Sequence, residues 1–128
     1  MPIEVIRDPS SAAPIGPYSQ GIRAGGFVFV AGEKGIDPET GRIVEGGIAA
    51  ETRRTLENVK GILAAAGATM DDVVATQVHM VNLDDFEAMN VVYAEYFEKN
   101  PPGRTTVGVT SLPAGASVEI TATAYVGD

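Results

Sequence analysis

The sequence predicts an α+β fold with its elements in the order βββαβαββ. Three observations carry this. Strand-like runs occupy both ends of the chain: Glu4 to Arg7, Gln20 to Ala24 and Phe27 to Ala31 early, Arg104 to Val109 and Val118 to Val126 late. Between them, Ile48, Thr52, Leu56, Val59, Leu63 and Ala66 recur at helical spacing. Gly and Pro clusters punctuate the boundaries and none interrupts the helical pattern.

In chain order, Glu4 to Arg7 is a short strand, followed by a Pro-, Ser- and Ala-rich loop from Asp8 to Pro17. Gln20 to Ala24 and Phe27 to Ala31 form a hairpin around Gly25-Gly26. Asp37-Pro38-Glu39-Thr40-Gly41 is a turn. Gly46-Gly47 leads into the first helix, and Gly67 stops it. Val73 to Val81 is a strand with Val74, Thr76, Val78 and Met80 on one face and Ala75, Gln77 and His79 on the other. Asn82 caps a second helix from about Leu83 to Phe97, whose stripe is Phe86, Met89, Tyr93 and Phe97. Asn90 lies on that stripe. A buried amide needs partners, and it either caps a neighbouring loop or builds a site. Two helices on one face of a six-stranded sheet leave the other face needing cover, which oligomerisation supplies.

A length of 128 residues with 45% hydrophobic content fits one domain over residues 1–128. No apolar run is long enough to cross a bilayer, so no membrane partner is expected. Met1-Pro2-Ile3-Glu4 lacks the basic start and apolar stretch of a secretory signal, which makes the cytoplasm the expected compartment. The absence of cysteine excludes disulfides and thiolate chemistry, and one histidine, His79, excludes a His-rich metal site within the chain. No metal and no cofactor are expected. A net charge of -8, with no basic cluster beyond Arg53-Arg54, disfavours nucleic acid as a partner.

Arg104 and Glu119 stand out because each is a lone charge inside an apolar strand. A buried charge is costly unless it is paired or used. Arg104 offers a planar fork suited to a carboxylate, and Glu119 a carboxylate able to hold water or move a proton. Two readings stand: the two form a structural ion pair with each other, or they serve a site.

The ordered set Ile15-Gly16-Pro17-Tyr18-Ser19-Gln20-Gly21, Val30-Ala31-Gly32, Thr55-Leu56-Glu57-Asn58-Val59, Asp85-Phe86 with Asn90, Pro102-Gly103-Arg104 and Val118-Glu119-Ile120 resembles the Rid family (YjgF/YER057c/UK114) over nearly the whole chain. The resemblance implies a chorismate-mutase-like fold: a six-stranded mixed sheet with two helices on one face, three copies closing a trimeric barrel with clefts between subunits. It implies hydrolysis of reactive 2-imino and enamine acids to 2-oxo acids and ammonia. It further implies that Arg104 binds the substrate carboxylate, Glu119 orients water and Tyr18 lies over the substrate or donates a hydrogen bond. Backbone groups of Gly32 and Thr106 complete the pocket, and Asn90 supports it from the helix. The chain departs from the family pattern at Ala31, where a Ser or Thr is usual, and at Glu33-Lys34-Gly35, where Gln, a variable residue and Pro are usual. A third departure is Thr106, where Cys is common. An added carboxylate near an anion-binding cleft weakens binding unless Lys34 or water compensates. Two other functions compete: a non-catalytic trimer that captures small carboxylates, and the endoribonuclease or translation inhibitor for which some family members are labelled.

Overall fold

A computed structural model describes residues 2–127; Met1 and Asp128, the ends of the expected domain, lie outside the described residues. The strands are β1 (Ile3–Ile6), β2 (Gly21–Ala24), β3 (Phe27–Lys34), β4 (Val73–Met80), β5 (Gly103–Gly108) and β6 (Val118–Tyr125), and the helices are α1 (Gly47–Ala65) and α2 (Phe86–Tyr96). Their order along the chain is the βββαβαββ that the sequence predicts. One six-stranded sheet runs β1-β2-β3-β6-β4-β5. It is mixed: β4 and β5 are parallel, and every other neighbouring pair is antiparallel. The parallel pair follows from the α2 crossover, since parallel neighbours need a long return connection. That crossover puts β4 between β5 and β6, so the strands carrying Arg104 and Glu119 are not neighbours.

Both helices lie on one face, and the core fills the space beneath them. Val28, Val30, Val78, Met80, Val118 and Ile120 meet Leu56, Val59, Ile62 and Leu63 of α1 and Met89 and Tyr93 of α2. The buried stripe of α1 is wider than expected, because Thr55 and Asn58 are also fully buried. Gly67 ends the helix as predicted. It takes a left-handed conformation (φ 80°), its N–H donates to Ala64 O at 3.0 Å, and the Ala68 N–H donates to Leu63 O at 2.9 Å. Asn82 does cap, accepting from the Asp84 N–H at 2.9 Å, but it opens a 3₁₀ turn over Leu83–Asp85. The α-helix therefore starts at Phe86, and Phe86 stays exposed.

Two β-bulges reset which side chains face the core. In β3, Val30 pairs with Ala122, and the next pairs are Glu33 with Ile120 and Lys34 with Glu119. Three steps on β3 match two on β6, so one extra residue sits near Gly32 and inverts the alternation. Glu33 therefore turns into the core and Lys34 to the open face. In β4, Val73 pairs with Ala124 and Ala75 with Thr123. That bulge corrects the expected faces: Val73 is buried and Val74 is exposed, while Thr76, Val78 and Met80 keep their inward positions.

The helix-free face carries exposed Phe27, Phe29, Val74, Val107 and Tyr125. The rings of Phe27 and Tyr125 approach to 5.0 Å between centroids. With Phe29, 6.1 Å from Phe27, they form an exposed apolar patch of the kind that marks a binding face. Among the described residues no helix is long and apolar enough to cross a membrane.

Candidate active site

The sequence-predicted residues fall into two clusters on opposite faces of the sheet. The first lies on the helix-free face. Glu119 of β6 sits between His79 of β4 and Lys34 of β3. His79 Nδ1 is 3.2 Å from Glu119 Oε1, and Lys34 Nζ is 3.4 Å from Oε2. Lys34 also donates to the Gly32 carbonyl at 2.8 Å. A cleft of about 490 Å³ opens here, lined by Tyr18, Ala31, Gly32, Lys34, Glu119 and Thr121 among others.

Tyr18 belongs to the rim of this cleft. The turn before it is tight, with the Tyr18 N–H donating to Gly16 O at 2.9 Å. Its hydroxyl accepts from the Ile15 N–H at 3.1 Å, which leaves the O–H proton available to donate. The ring lies 6.0 Å from Lys34 Nζ and is 40% exposed. Gly32 is needed for space. A Cβ there would stand 2.8 Å from Glu119 Cδ and 3.1 Å from Oε2, so the carboxylate rests directly on the bulged backbone.

The second cluster lies on the helix face at the β5 edge. Arg104 Nη1 donates to Asn90 Oδ1 of α2 at 2.8 Å. The guanidinium lies 4.8 Å from the Tyr93 ring centroid and 5.4 Å from that of Phe86. This cation–π support holds the fork in place while most of its donors stay uncommitted. Tyr93 is itself fixed by a 2.7 Å hydrogen bond with Thr76, and burial pushes its hydroxyl pKa up. The adjoining pocket of about 340 Å³ is lined by Asn90, Tyr93, Phe97, Pro102 and Arg104 among others. Thr106 stands two residues further along β5 on the same face, its hydroxyl buried without a partner among the described residues.

Two of the alternatives left open by the sequence are excluded among the described residues. Arg104 and Glu119 do not pair with each other: β4 separates their strands, and they point to opposite faces. Asn90 caps no loop; its carbonyl oxygen serves Arg104. The added carboxylate of Glu33 also stays out of the cleft. It is 5% exposed on the core side, and burial pushes its pKa up to about 7, with Lys34 opposing and Glu119 adding to the rise.

Sequence reasoning missed three organising residues. His79 Nδ1 reaches Glu119, although its position on the sheet surface was the one expected. Asn58 is fully buried and donates to Lys34 O and Ile36 O, each at 3.0 Å, while its Oδ1 accepts from the Ala12 N–H at 3.2 Å. It thereby ties the end of β3 to the loop before Tyr18. Gln20 fixes the same loop through Asp8 and Ala12. The available signal was an amide at a core position of a helix, which demands partners.

The family model described as Endoribonuclease L-PSP matches residues 9–126. The chain belongs to this family, the Rid family. A RutC family protein of Pyrococcus horikoshii is 50% identical over 122 residues, covering 95% of this chain and 97% of its own. The human 2-iminobutanoate/2-iminopropanoate deaminase is 38% identical over 123 residues, covering 96% of this chain and 90% of its own. Among solved structures, E. coli TdcF with bound serine superposes with a TM-score of 0.91 at 35% identity, covering 95% of this chain and 98% of that one. This Rid protein thus shares sequence with relatives named as imine deaminases and fold with solved structures such as E. coli TdcF.

Proposed function

We propose that this Rid protein hydrolyses reactive 2-imino and enamine acids of the 2-aminoacrylate, 2-iminopropanoate or 2-iminobutanoate class to 2-oxo acids and ammonia. The observation that carries the reading is the division of the site. One chain presents a carboxylate receptor, Arg104 with Asn90, at the β5 edge. It presents a water-handling carboxylate, Glu119 with Tyr18 and Gly32, on the opposite face. Neither half suffices alone. Association of copies through the apolar open face, as a homotrimer with clefts between subunits, unites the Arg104 of one copy with the Glu119 of the next.

The chemistry then follows from the groups. Arg104 holds the substrate carboxylate through two parallel hydrogen bonds and fixes the imine carbon in the cleft. Glu119 accepts a proton from water as the water oxygen bonds to that carbon, and the C=N π pair becomes a lone pair on nitrogen. The nitrogen gains a proton, with Tyr18 a donor within the cleft. Glu119 then gives its proton to the same nitrogen, the C–N bond breaks with its electron pair leaving on ammonia, and the new hydroxyl passes its proton back to the Tyr18 oxygen as it becomes the carbonyl of the 2-oxo acid. An imine carbon is electrophilic enough that this path requires no covalent nucleophile. Support comes from the human relative's name and from the serine bound to the E. coli structure, an amino acid with the same carboxylate.

The test couples the purified protein to a threonine dehydratase in a buffer that suppresses spontaneous hydrolysis and follows 2-oxobutanoate release. Acceleration that disappears in Arg104→Ala is expected. An unchanged rate with the wild-type chain would refute the reading and favour a trimer that captures carboxylates without turnover.

A further inference from the structure

Glu119 can orient water only if its carboxylate is itself held, and the cleft contains a device for this that depends on one residue. The bulge near Gly32 turns Lys34 onto the open face, directly across the strand pair from Glu119. Without the extra residue, Lys34 would point into the core and Glu33 into the cleft. The Lys34 side chain is only 6% exposed, so its charge is little screened by water. Its shorter contact is the 2.8 Å hydrogen bond to Gly32 O, against 3.4 Å to Glu119 Oε2. The nitrogen is therefore anchored by the β3 backbone, and Asn58 anchors that backbone in turn through Lys34 O. Glu119 is held against a fixed cation. Its other oxygen, Oε1, faces His79 at 3.2 Å, and its carboxyl carbon lies against Gly32, where an added methyl group would force the carboxylate to shift.

We propose that Lys34 is the positioning residue of the Glu119 carboxylate, with His79 steadying the second oxygen, and that Lys34 also offsets the negative charge that an incoming carboxylate substrate would meet. The proposal rests on the hydrolytic reading of the cleft given above. Lys34 does not touch the reacting atoms; it acts through Glu119. With each oxygen held by one partner, a lone pair on each remains for water. Rotation of the carboxylate away from the cleft would cost both contacts.

The experiment is a double-mutant cycle on the full chain, using 2-iminobutanoate generated in situ. Lys34→Met keeps the stem and removes charge and donors. It should lower kcat by about 10- to 100-fold, the range expected when a catalytic group is misplaced by up to about 1 Å. KM, governed mainly by Arg104, should rise far less. Glu119→Gln should lose more, and adding Lys34→Met to it should cost nothing further, because the two residues act as a unit. Lys34→Gln, which can still donate to Gly32 O, should recover part of the loss. A crystal structure of Lys34→Met should show the Glu119 carboxylate displaced, and a thermal melt checks that the variant is folded.

Wild-type kcat in Lys34→Met, an unmoved Glu119 in its structure, or losses that multiply in the double variant would each overturn the proposal while leaving the hydrolytic reading intact. Full turnover in Glu119→Gln would overturn that reading and this proposal with it.

Discussion

Replacing Glu33 by Gln should flatten the pH dependence of stability. The bulge in β3 sends this carboxyl into the core beside Ile120, where it is 5% exposed. Burial pushes its pKa up to about 7 from an ordinary 4.5, with Lys34 pulling it back and Glu119 pushing it further. Below about pH 4.5 the group is protonated in folded and unfolded chains alike. As pH rises from there to about 7, the folded chain keeps its proton and the unfolded chain has lost it, so stability falls. Above about 7 both forms are charged, and the penalty is complete and constant. Over roughly 2.5 pH at about 1.4 kcal/mol per decade, the loss comes to about 3 kcal/mol. Gln has the same shape and never ionises. Thermal melts of both chains from pH 5 to 8, at one fixed protein concentration, should diverge as pH rises. At pH 8 Glu33→Gln should melt higher by on the order of 10 °C, and at pH 5 the gap should shrink to a few degrees. Parallel pH profiles, or a variant less stable than wild type at pH 8, would refute the burial argument.

Three further outcomes are expected. Arg104→Lys keeps the charge but loses the fork and should lower kcat/KM for an imino acid by about 10- to 100-fold, equivalent to one charge-assisted hydrogen bond of about 1.5–3 kcal/mol; unchanged kinetics would mean the carboxylate is held elsewhere. Gly32→Ala inserts a methyl 2.8 Å from Glu119 Cδ and should reduce turnover by about 100-fold with the fold retained by circular dichroism. Light scattering at micromolar concentration should report three chains for wild type and a single chain for Phe29→Asp, which puts a charge on the apolar open face; a monomeric wild type would remove the basis for a composite site.

The element order and the end of the first helix were legible because they rest on local signals. The α1 stripe is a matter of spacing, and Gly67 stops the helix because its left-handed conformation favours glycine. Arg104 and Glu119 were legible as unusual because lone charges in apolar strands break a pattern. Their relation was not legible. It depends on β4 entering the sheet between their strands, a non-local pairing that no window of sequence contains. The bulges were missed for a different reason. A period of two assumes an unbroken ladder, and one extra residue inverts every face beyond it. At Val74 that exposes one valine. At Gly32 the consequence is chemical, because the same inversion decides which of two adjacent charges enters the core and which enters the cleft. Glycine inside a strand is a known sign of such a break, and here the sign had a second meaning, since any side chain at this position would displace the Glu119 carboxylate. The departure at Glu33-Lys34 is thus one structural event with two results: an acid buried where it titrates near pH 7, and a lysine delivered to the carboxylate across the strand.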